Sequence, residues 1–462
     1  MANVVRASMD FLVRRFVRLV LRLFFRDIEV LGADRLPRRR DGSRRPRVED
    51  GILYVGNHYN SLIDPALALG WLPPGLRVLA KSTLWRHVPA GLFVRLAGAV
   101  PVYRRADPGV DASRNVESFA RCFEILAGGG SIALFPEGRS HNEPGLQQLR
   151  TGAARIALGT VARSPQAPVW IVPFGLVFEE RERFRSRVLI EIGQPIDPRS
   201  FATDDGEEDR AAVERLTEAV AAGLTAVTLN FSTWREADLV RRAAALWVAD
   251  QMPAATALSS HVPYQRAFAR GYAELKSLYP MEVRYARRAA TAYFRLLDLA
   301  GLSDRQVSTG YSAALMARFV ARSLFELLVL LPLGVVGTML HWLPYKIPGW
   351  VVRALPIGRD QHATYKVMIS LFLFPALWIG GAFLLADLWG WSAGRAFLVL
   401  APLSGYAALR LRERLESVVL QSRAYLLLRG GGTLVARLRG RRAELVRALR
   451  ELVAAYGDAG GR

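Results

Sequence analysis

The chain has 462 residues, 51% of them hydrophobic and 22% charged, a composition that excludes wholesale disorder. Its mean hydropathy of +0.16 is high for a soluble enzyme and low for a many-helix transporter, so a globular part joined to a small membrane part is expected. The net charge of +21, carried by 58 Arg against 4 Lys, suits polyanions, and charge alone does not choose between nucleic acid and anionic lipid headgroups.

From Met1 to Phe25 short apolar runs are broken by Arg6, Arg14, Arg15, Arg18 and Arg22, with Arg26 following. The arginines interrupt the apolar stretch and no small-residue cleavage site follows, which argues against a secretory signal. Their helical spacing predicts a basic amphipathic helix lying on a membrane surface, with a solvated basic face on an ordinary packed helix as the plainer alternative. Residues 35–51 are polar, basic and contain Pro37 and Pro46, as a loop would. The single cysteine, Cys122, excludes an intrachain disulfide framework and a Cys-rich metal site, and fits a reducing cytosolic face.

Between 52 and 192, strand-length apolar runs occur at Ile52–Gly56, Leu76–Lys81, Ala99–Tyr103, Ser131–Phe135, Val169–Gly175 and Val188–Ile192. Helical patterns occupy Ser113–Leu126 and Thr151–Ala162, and the alternation predicts an α/β domain. After Asp197 the pattern turns helical through 206–230, 234–251, 262–276 and 281–300. Residues 324–344 and 367–386 are apolar and each about 20 residues long, the span a bilayer core requires. A third run, 396–409, is shorter and reads equally as a short span, a re-entrant segment or a packed helix; 433–456 forms another basic amphipathic helix. Positive residues flank every apolar run, so orientation is not assigned by the charge rule.

The chemistry-bearing residues follow the strands. Ile52–Gly56 runs into Asn57-His58-Tyr59-Asn60-Ser61-Leu62-Ile63-Asp64, which puts an imidazole at a strand end and a carboxylate a short turn later. Such a histidine serves as a general base when the carboxylate fixes its tautomer. Val100-Pro101-Val102-Tyr103-Arg104, Phe135-Pro136-Glu137-Gly138-Arg139-Ser140-His141 and Ile171-Val172-Pro173-Phe174-Gly175 are further strand ends, and such ends converge on one edge of an α/β sheet. Arginine is suited to phosphate oxygens, and Gly138 allows close backbone approach or positive φ.

In order and spacing these four blocks resemble the glycerophospholipid acyltransferase family, which makes lysophosphatidate and phosphatidate, over roughly residues 27–200. Phe135-Pro136-Glu137-Gly138-Arg139-Ser140 is the most specific part. The resemblance implies a central mixed sheet flanked by helices, His58 as general base and Asp64 as its orienting partner. It implies that Arg104, Glu137, Gly138, Arg139 and Ser140 hold the glycerol and phosphate of the acceptor, with Lys81 adding charge. Two departures stand out: five residues separate His58 from Asp64 where the family usually has four, and a threonine before Arg139 is absent. The longer spacing is similar to the fungal glycerol-3-phosphate and dihydroxyacetone-phosphate acyltransferases. The implied reaction moves an acyl group directly from a thioester, of coenzyme A or acyl carrier protein, to an acceptor hydroxyl, with no metal or other cofactor. Glycerol-3-phosphate is the favoured acceptor, and lysophosphatidate or another lysophospholipid the alternative.

The expected organisation is an N-terminal membrane-surface helix (1–26), the acyltransferase domain (27–200), a helical region (201–320), a transmembrane part (321–410, with spans 324–344 and 367–386 and a third candidate at 391–409) and a basic helical tail (411–462). Membrane lipids are the expected partners, and the active site is placed on the cytoplasmic face. A catalytically silent lipid-binding scaffold is the rival from another class. Nucleic acid is set aside, because no reader module or basic face with interleaved aromatics is found. His141 lies near enough to the third block to touch substrate; Arg105 either binds phosphate or faces solvent. His87, His261, His341 and His362 have no convergent partners in sequence.

Overall fold

In the computed structural model, which describes residues 2–37, 50–86, 90–104, 111–308, 313–430 and 432–460, the six expected runs and a further segment at 27–31 form strands of one sheet. They are β1 (Asp27–Leu31), β2 (Gly51–Gly56), β3 (Leu76–Lys81), β4 (Val100–Val102), β5 (Ser131–Leu134), β6 (Val169–Phe178) and β7 (Arg187–Ile192), in the order β1-β7-β6-β2-β5-β3-β4. Strands β2 to β6 run parallel, while β7 is antiparallel to β6 and carries β1 with it. The sheet is therefore mixed. Every residue of β2 is buried, as expected of a central strand covered on both faces, and this is why it reads as an unbroken apolar run.

Among the described residues the first unit, which spans Met1–Trp234 and Ile357–Thr364, carries α1 (Ala2–Phe24), α2 (Ile63–Trp71), α3 (Ala90–Leu96), α4 (Asn115–Ala127), α5 (Gly152–Arg163) and α6 (Arg210–Val227). One core joins Leu53, Val55, Ile132, Leu134 and Ile171 of the sheet to Cys122 and Leu126 of α4, Ile156 and Leu158 of α5, and Leu216, Val220 and Leu224 of α6. With that face filled, the loops leaving the C-terminal ends of the parallel strands are left at one edge. The basic stretch 38–49, His87 and Arg105 lie outside the described residues.

Helix α1 forms as expected, but its arginines are divided. Arg14 is buried, and its guanidinium donates to the carbonyls of Leu72 (2.6 Å), Pro73 (3.1 Å) and Gly70 (3.4 Å). Arg18 Nε donates to Gly70 as well, at 2.6 Å. These carbonyls close the end of α2, where a helix leaves acceptors without intrahelical partners and its dipole favours a cation. Val17, Leu21 and Phe24 are buried beside them, whereas Phe11, Leu12, Phe16, Leu19 and Leu23 are exposed. The arginines of the expected amphipathic helix are thus divided: Arg14 and Arg18 point inward, Arg15, Arg22 and Arg26 stay exposed, and an apolar row faces out.

The second unit spans Arg235–Pro356 and Tyr365–Arg462. Among the described residues it holds α7 (Trp234–Gln251, from Arg235 on), α8 (Leu258–Leu278), α9 (Pro280–Ala300), α10 (Asp304–Ser308), α11 (Ala313–Ala354), α12 (Arg359–Trp389, from Tyr365 on, its first turns belonging to the first unit), α13 (Trp391–Arg429) and α14 (Thr433–Gly460). Leu246 of α7, Tyr293 and Leu297 of α9, Ala424 of α13 and Leu438 and Leu445 of α14 share a core. Arg442 donates to Asp304 and Asp250, and the Tyr293 hydroxyl donates to Asp304. Met316–Ala354 and Arg359–Trp389 are long and apolar enough to cross a membrane, each extending beyond the expected 324–344 and 367–386. The undecided run 396–409 is part of the 39-residue α13. That helix packs closely on α11: a Cβ on Gly337 would fall 1.9 Å from the Ser404 carbonyl oxygen, the small-residue approach that lets two backbones meet.

Candidate active site

The chain leaves β2 at Asn57, whose side chain bonds in both directions to β6: Nδ2 donates to the Leu176 carbonyl (3.1 Å) and Oδ1 accepts from Leu176 N (2.7 Å). This fixes the turn from which His58 projects. Asp64 lies in the first turn of α2 and is fully buried. Its Oδ2 stands 2.9 Å from His58 Nδ1 and also accepts from Tyr59 N (2.6 Å) and Asn60 N (2.7 Å). A carboxylate oxygen held by two backbone donors has only acceptance to offer the imidazole, so the ring proton sits on Nδ1 and Nε2 keeps its lone pair. Among the described residues Nε2 has no hydrogen-bond partner. The ring stacks on Phe135 at 4.5 Å and its side chain is 13% exposed against 0% for Asp64. Between them Ser61 adopts φ +28°.

The turn after β5 meets this loop. Glu137 is buried; Oε1 accepts from His58 N at 2.7 Å, and Oε2 accepts from Gln147 N at 2.8 Å and from His141 Nε2 at 2.5 Å. Because Glu143 N donates to His141 Nδ1 at 3.1 Å, the proton of that ring is on Nε2 and His141 is a neutral donor. His141 N in turn donates to the His58 carbonyl at 3.2 Å. Both carboxylate oxygens of Glu137 are thus engaged by protein donors, a different placement from the acceptor contact the resemblance implies. Gly138 takes φ +75°, and a Cβ there would fall 2.8 Å from Arg150 Nε.

Arg139 is exposed and, among the described residues, has no hydrogen-bond or ion-pair partner. Ser140 Oγ donates to Asp360 Oδ2 at 2.5 Å. Lys81 closes β3 and Arg104 follows β4, both half-buried at the same sheet edge. Burial is the chief cause that pushes the Tyr59 phenol up to about 12, so it stays protonated beside His58, with the Arg181 guanidinium 3.7 Å from its ring centroid. Burial likewise pushes the Cys122 thiol up to about 12; it lies in the core, away from any nucleophilic role. Among the described residues no group of three or more His, Cys, Asp or Glu is placed to hold a metal ion.

Sequence reasoning paired His58 with Asp64 and placed Arg139 nearby. It missed Asn57 as the anchor to β6, His141 as the proton donor to Glu137, and Asp360 and Thr364 as neighbours of the two loops. The last two are 220 and 302 residues from their partners, beyond any spacing rule.

The family model described as Acyltransferase matches residues 27–177, from β1 into β6 and including both loops. Residues 27–177 are an acyltransferase domain. Glycerol-3-phosphate O-acyltransferase 2 of Saccharomyces cerevisiae is 29% identical over 290 residues, covering 59% of this chain and 38% of the relative. Glycerol-3-phosphate O-acyltransferase 1 of the same yeast is 33% identical over 157 residues, covering 33% of this chain and 21% of the relative. A chloroplastic 1-acyl-sn-glycerol-3-phosphate acyltransferase, BAT2 of Brassica napus, is 27% identical over 133 residues, covering 29% of this chain and 36% of the relative. The matches thus span well under half the length of each of these relatives. The acyltransferase domain holds the whole His58–Asp64–Glu137 arrangement.

Proposed function

We propose that the chain transfers a fatty acyl group from an acyl thioester to the hydroxyl of a glycerol-phosphate acceptor, glycerol-3-phosphate in first place, at a membrane surface. The observation that carries this reading is the His58–Asp64 pair with a proton-free Nε2 at the sheet edge, inside the acyltransferase domain. Nε2 takes the proton from the acceptor hydroxyl as its oxygen attacks the thioester carbonyl. The tetrahedral intermediate then expels the thiolate, which receives that proton from the imidazolium. The ester and the free thiol are the products, and no acyl-enzyme forms. Asp64 compensates the positive charge that the ring carries only between these steps.

Glu137 holds His58 and His141 in this reading, and the cationic groups at the edge, Arg139, Arg104 and Lys81, meet the acceptor phosphate. The resident donor is a co-substrate, from coenzyme A or acyl carrier protein, and no further cofactor enters the reaction. Contact with the bilayer is made by the exposed apolar row of α1 and by the two long apolar helices α11 and α12, as an integral protein whose active site faces the cytoplasm. Lysophosphatidate is the second acceptor, favoured by the name of the plant relative. Membranes containing the chain, given acyl-CoA with either glycerol-3-phosphate or lysophosphatidate, decide between them beside a His58→Ala control. Product from one acceptor, lost in the variant, is the expected result; undiminished turnover by His58→Ala refutes the assigned base, and no product with any thioester or lysolipid leaves the scaffold reading.

A further inference from the structure

The segment Ile357–Thr364 belongs to the same compact unit as the acyltransferase domain, and it places three polar side chains on three of that unit's loops. Asp360 Oδ2 accepts from Ser140 Oγ, His362 Nδ1 lies 2.9 Å from Glu182 Oε2 in the turn between β6 and β7, and Thr364 Oγ1 accepts from Leu62 N at 3.1 Å. Thr364 is buried. Leu62 stands at the N-cap of α2, which has no side-chain cap of its own, and a helix start leaves such N–H groups without partners. Thr364 supplies the acceptor from far along the chain. The residue before, Ser61, is held at φ +28°, a region that non-glycine residues avoid and keep only where their surroundings impose it.

We propose that Thr364 and Asp360 are positioning residues for acyl transfer. Thr364 holds the strained turn that accommodates five residues between His58 and Asp64, and so sets the geometry of the base. Asp360 holds Ser140, and with it the direction in which the Arg139–Ser140 turn faces the acceptor phosphate. The inference rests on the acyl-transfer reading above and extends it to a segment outside the matched domain.

Thr364→Val keeps the shape of the side chain and removes its lone pairs, whereas Thr364→Ser keeps the hydroxyl. Since small displacements of a base are costly, Thr364→Val is expected to lower kcat about tenfold with the acceptor KM within about twofold, and Thr364→Ser to restore it. Asp360→Ala is expected to raise the acceptor KM about tenfold with a smaller change in kcat, and Asp360→Asn, which still offers an oxygen to Ser140, to recover most of it. Hydrogen exchange on the detergent-solubilised full chain gives a readout that needs no turnover: residues 59–66 exchange faster in Thr364→Val than in wild type. Unchanged exchange in that peptide overturns the role of Thr364 whether or not acyl transfer is found. Wild-type kcat in Thr364→Val, or equal losses in Thr364→Val and Thr364→Ser, does the same. An inactive wild type with the exchange difference present overturns the acyl-transfer reading and leaves the turn-holding role standing.

Discussion

Replacing Asp64 by asparagine removes one charge while leaving the shape of the site nearly intact, which makes it the sharpest test of the base. Three donors converge on Asp64 Oδ2: His58 Nδ1, Tyr59 N and Asn60 N. An amide turned with its oxygen in that position still accepts all three, and its NH₂ falls where the buried Oδ1 has no partner. Folding is therefore largely retained, at a cost of about 1–3 kcal/mol for one buried unpaired NH₂. What is lost is the attraction between carboxylate and imidazolium. At 2.9 Å and an effective dielectric near 20, that attraction is about 6 kcal/mol. The imidazolium exists only once the acceptor proton has been taken, so the loss falls on the transition state and not on substrate binding. Half of it, allowing for the amide dipole and partial solvent access, is about 3 kcal/mol, or roughly 10²-fold in rate; the whole is roughly 10⁴-fold.

Asp64→Asn is therefore expected to lower kcat by about 10²- to 10⁴-fold with the acceptor KM within about threefold. Asp64→Ala separates the structural share. It leaves two buried backbone N–H groups without an acceptor, about 2–6 kcal/mol against a typical native stability of about 5–15 kcal/mol, and its melting temperature falls well below that of Asp64→Asn. The assay is steady-state acyl transfer with both substrates varied, beside thermal unfolding of the two variants. If Asp64→Asn keeps kcat within about threefold of wild type while His58→Ala is inactive, Asp64 does not stabilise the base, and the reasoning fails.

Glu137→Gln discriminates a loop-holding role from an acceptor contact. Either orientation of the amide sets an NH₂ against a protein donor, His58 N on one side or Gln147 N and His141 Nε2 on the other, so the loss of about 1.5–3 kcal/mol displaces His58 and lowers kcat by roughly tenfold or more. A rise in acceptor KM at unchanged kcat points to direct substrate contact instead. On α1, Arg14→Met removes the bonds that close α2 and lowers the melting temperature by an amount equivalent to about 1.5–3 kcal/mol, with vesicle binding unchanged. Leu12→Glu with Leu19→Glu acts on the exposed row and does the opposite: each buried leucine contributes about 1.5 kcal/mol or more, so sedimentation of the isolated α1 peptide with anionic vesicles should fall roughly 10²-fold. An unchanged melting temperature in Arg14→Met contradicts the inward placement of that arginine. For Cys122, burial keeps the proton on the folded thiol up to about 12, while the unfolded thiol ionises near its ordinary value. The folded chain at pH 8 therefore resists iodoacetamide, the denatured chain reacts, and stability falls as pH rises through that window. Rapid labelling of the folded chain contradicts this.

The parallel strands were legible because burial on both faces turns them into short apolar runs bounded by turns, and Leu76–Lys81 was read with its observed limits. Strand β1 was missed: Asp27-Ile28-Glu29-Val30-Leu31 is an edge strand with charges in alternation, too short and too polar to stand out as an apolar run. Helix α2 was missed because it is nine residues long and apolar on nearly every side, which erases helical periodicity. The face of α1 shows a different limit. Periodicity tells which residues share a face and not which face is buried. The usual preference for outward arginine is reversed when a guanidinium meets the carbonyls of a helix end.

The candidate site divides along the same line. His58 and Asp64 are six apart, and so local turn geometry brings them together and sequence suffices to pair them. For Glu137 the sequence supplies a carboxylate at a strand end without its direction, which is set by His58 N, Gln147 N and the tautomer of His141. The unusual five-residue spacing shows why the local view is incomplete. The turn that delivers Asp64 to His58 holds Ser61 at positive φ, the helix start at Leu62 has no side-chain cap of its own, and the acceptor that meets it, Thr364, lies 302 residues away. A departure visible in the motif is thus matched by a residue that no motif contains. The strained turn and the distant hydroxyl therefore meet at one helix start, and faster exchange of residues 59–66 in Thr364→Val is what that joint role requires.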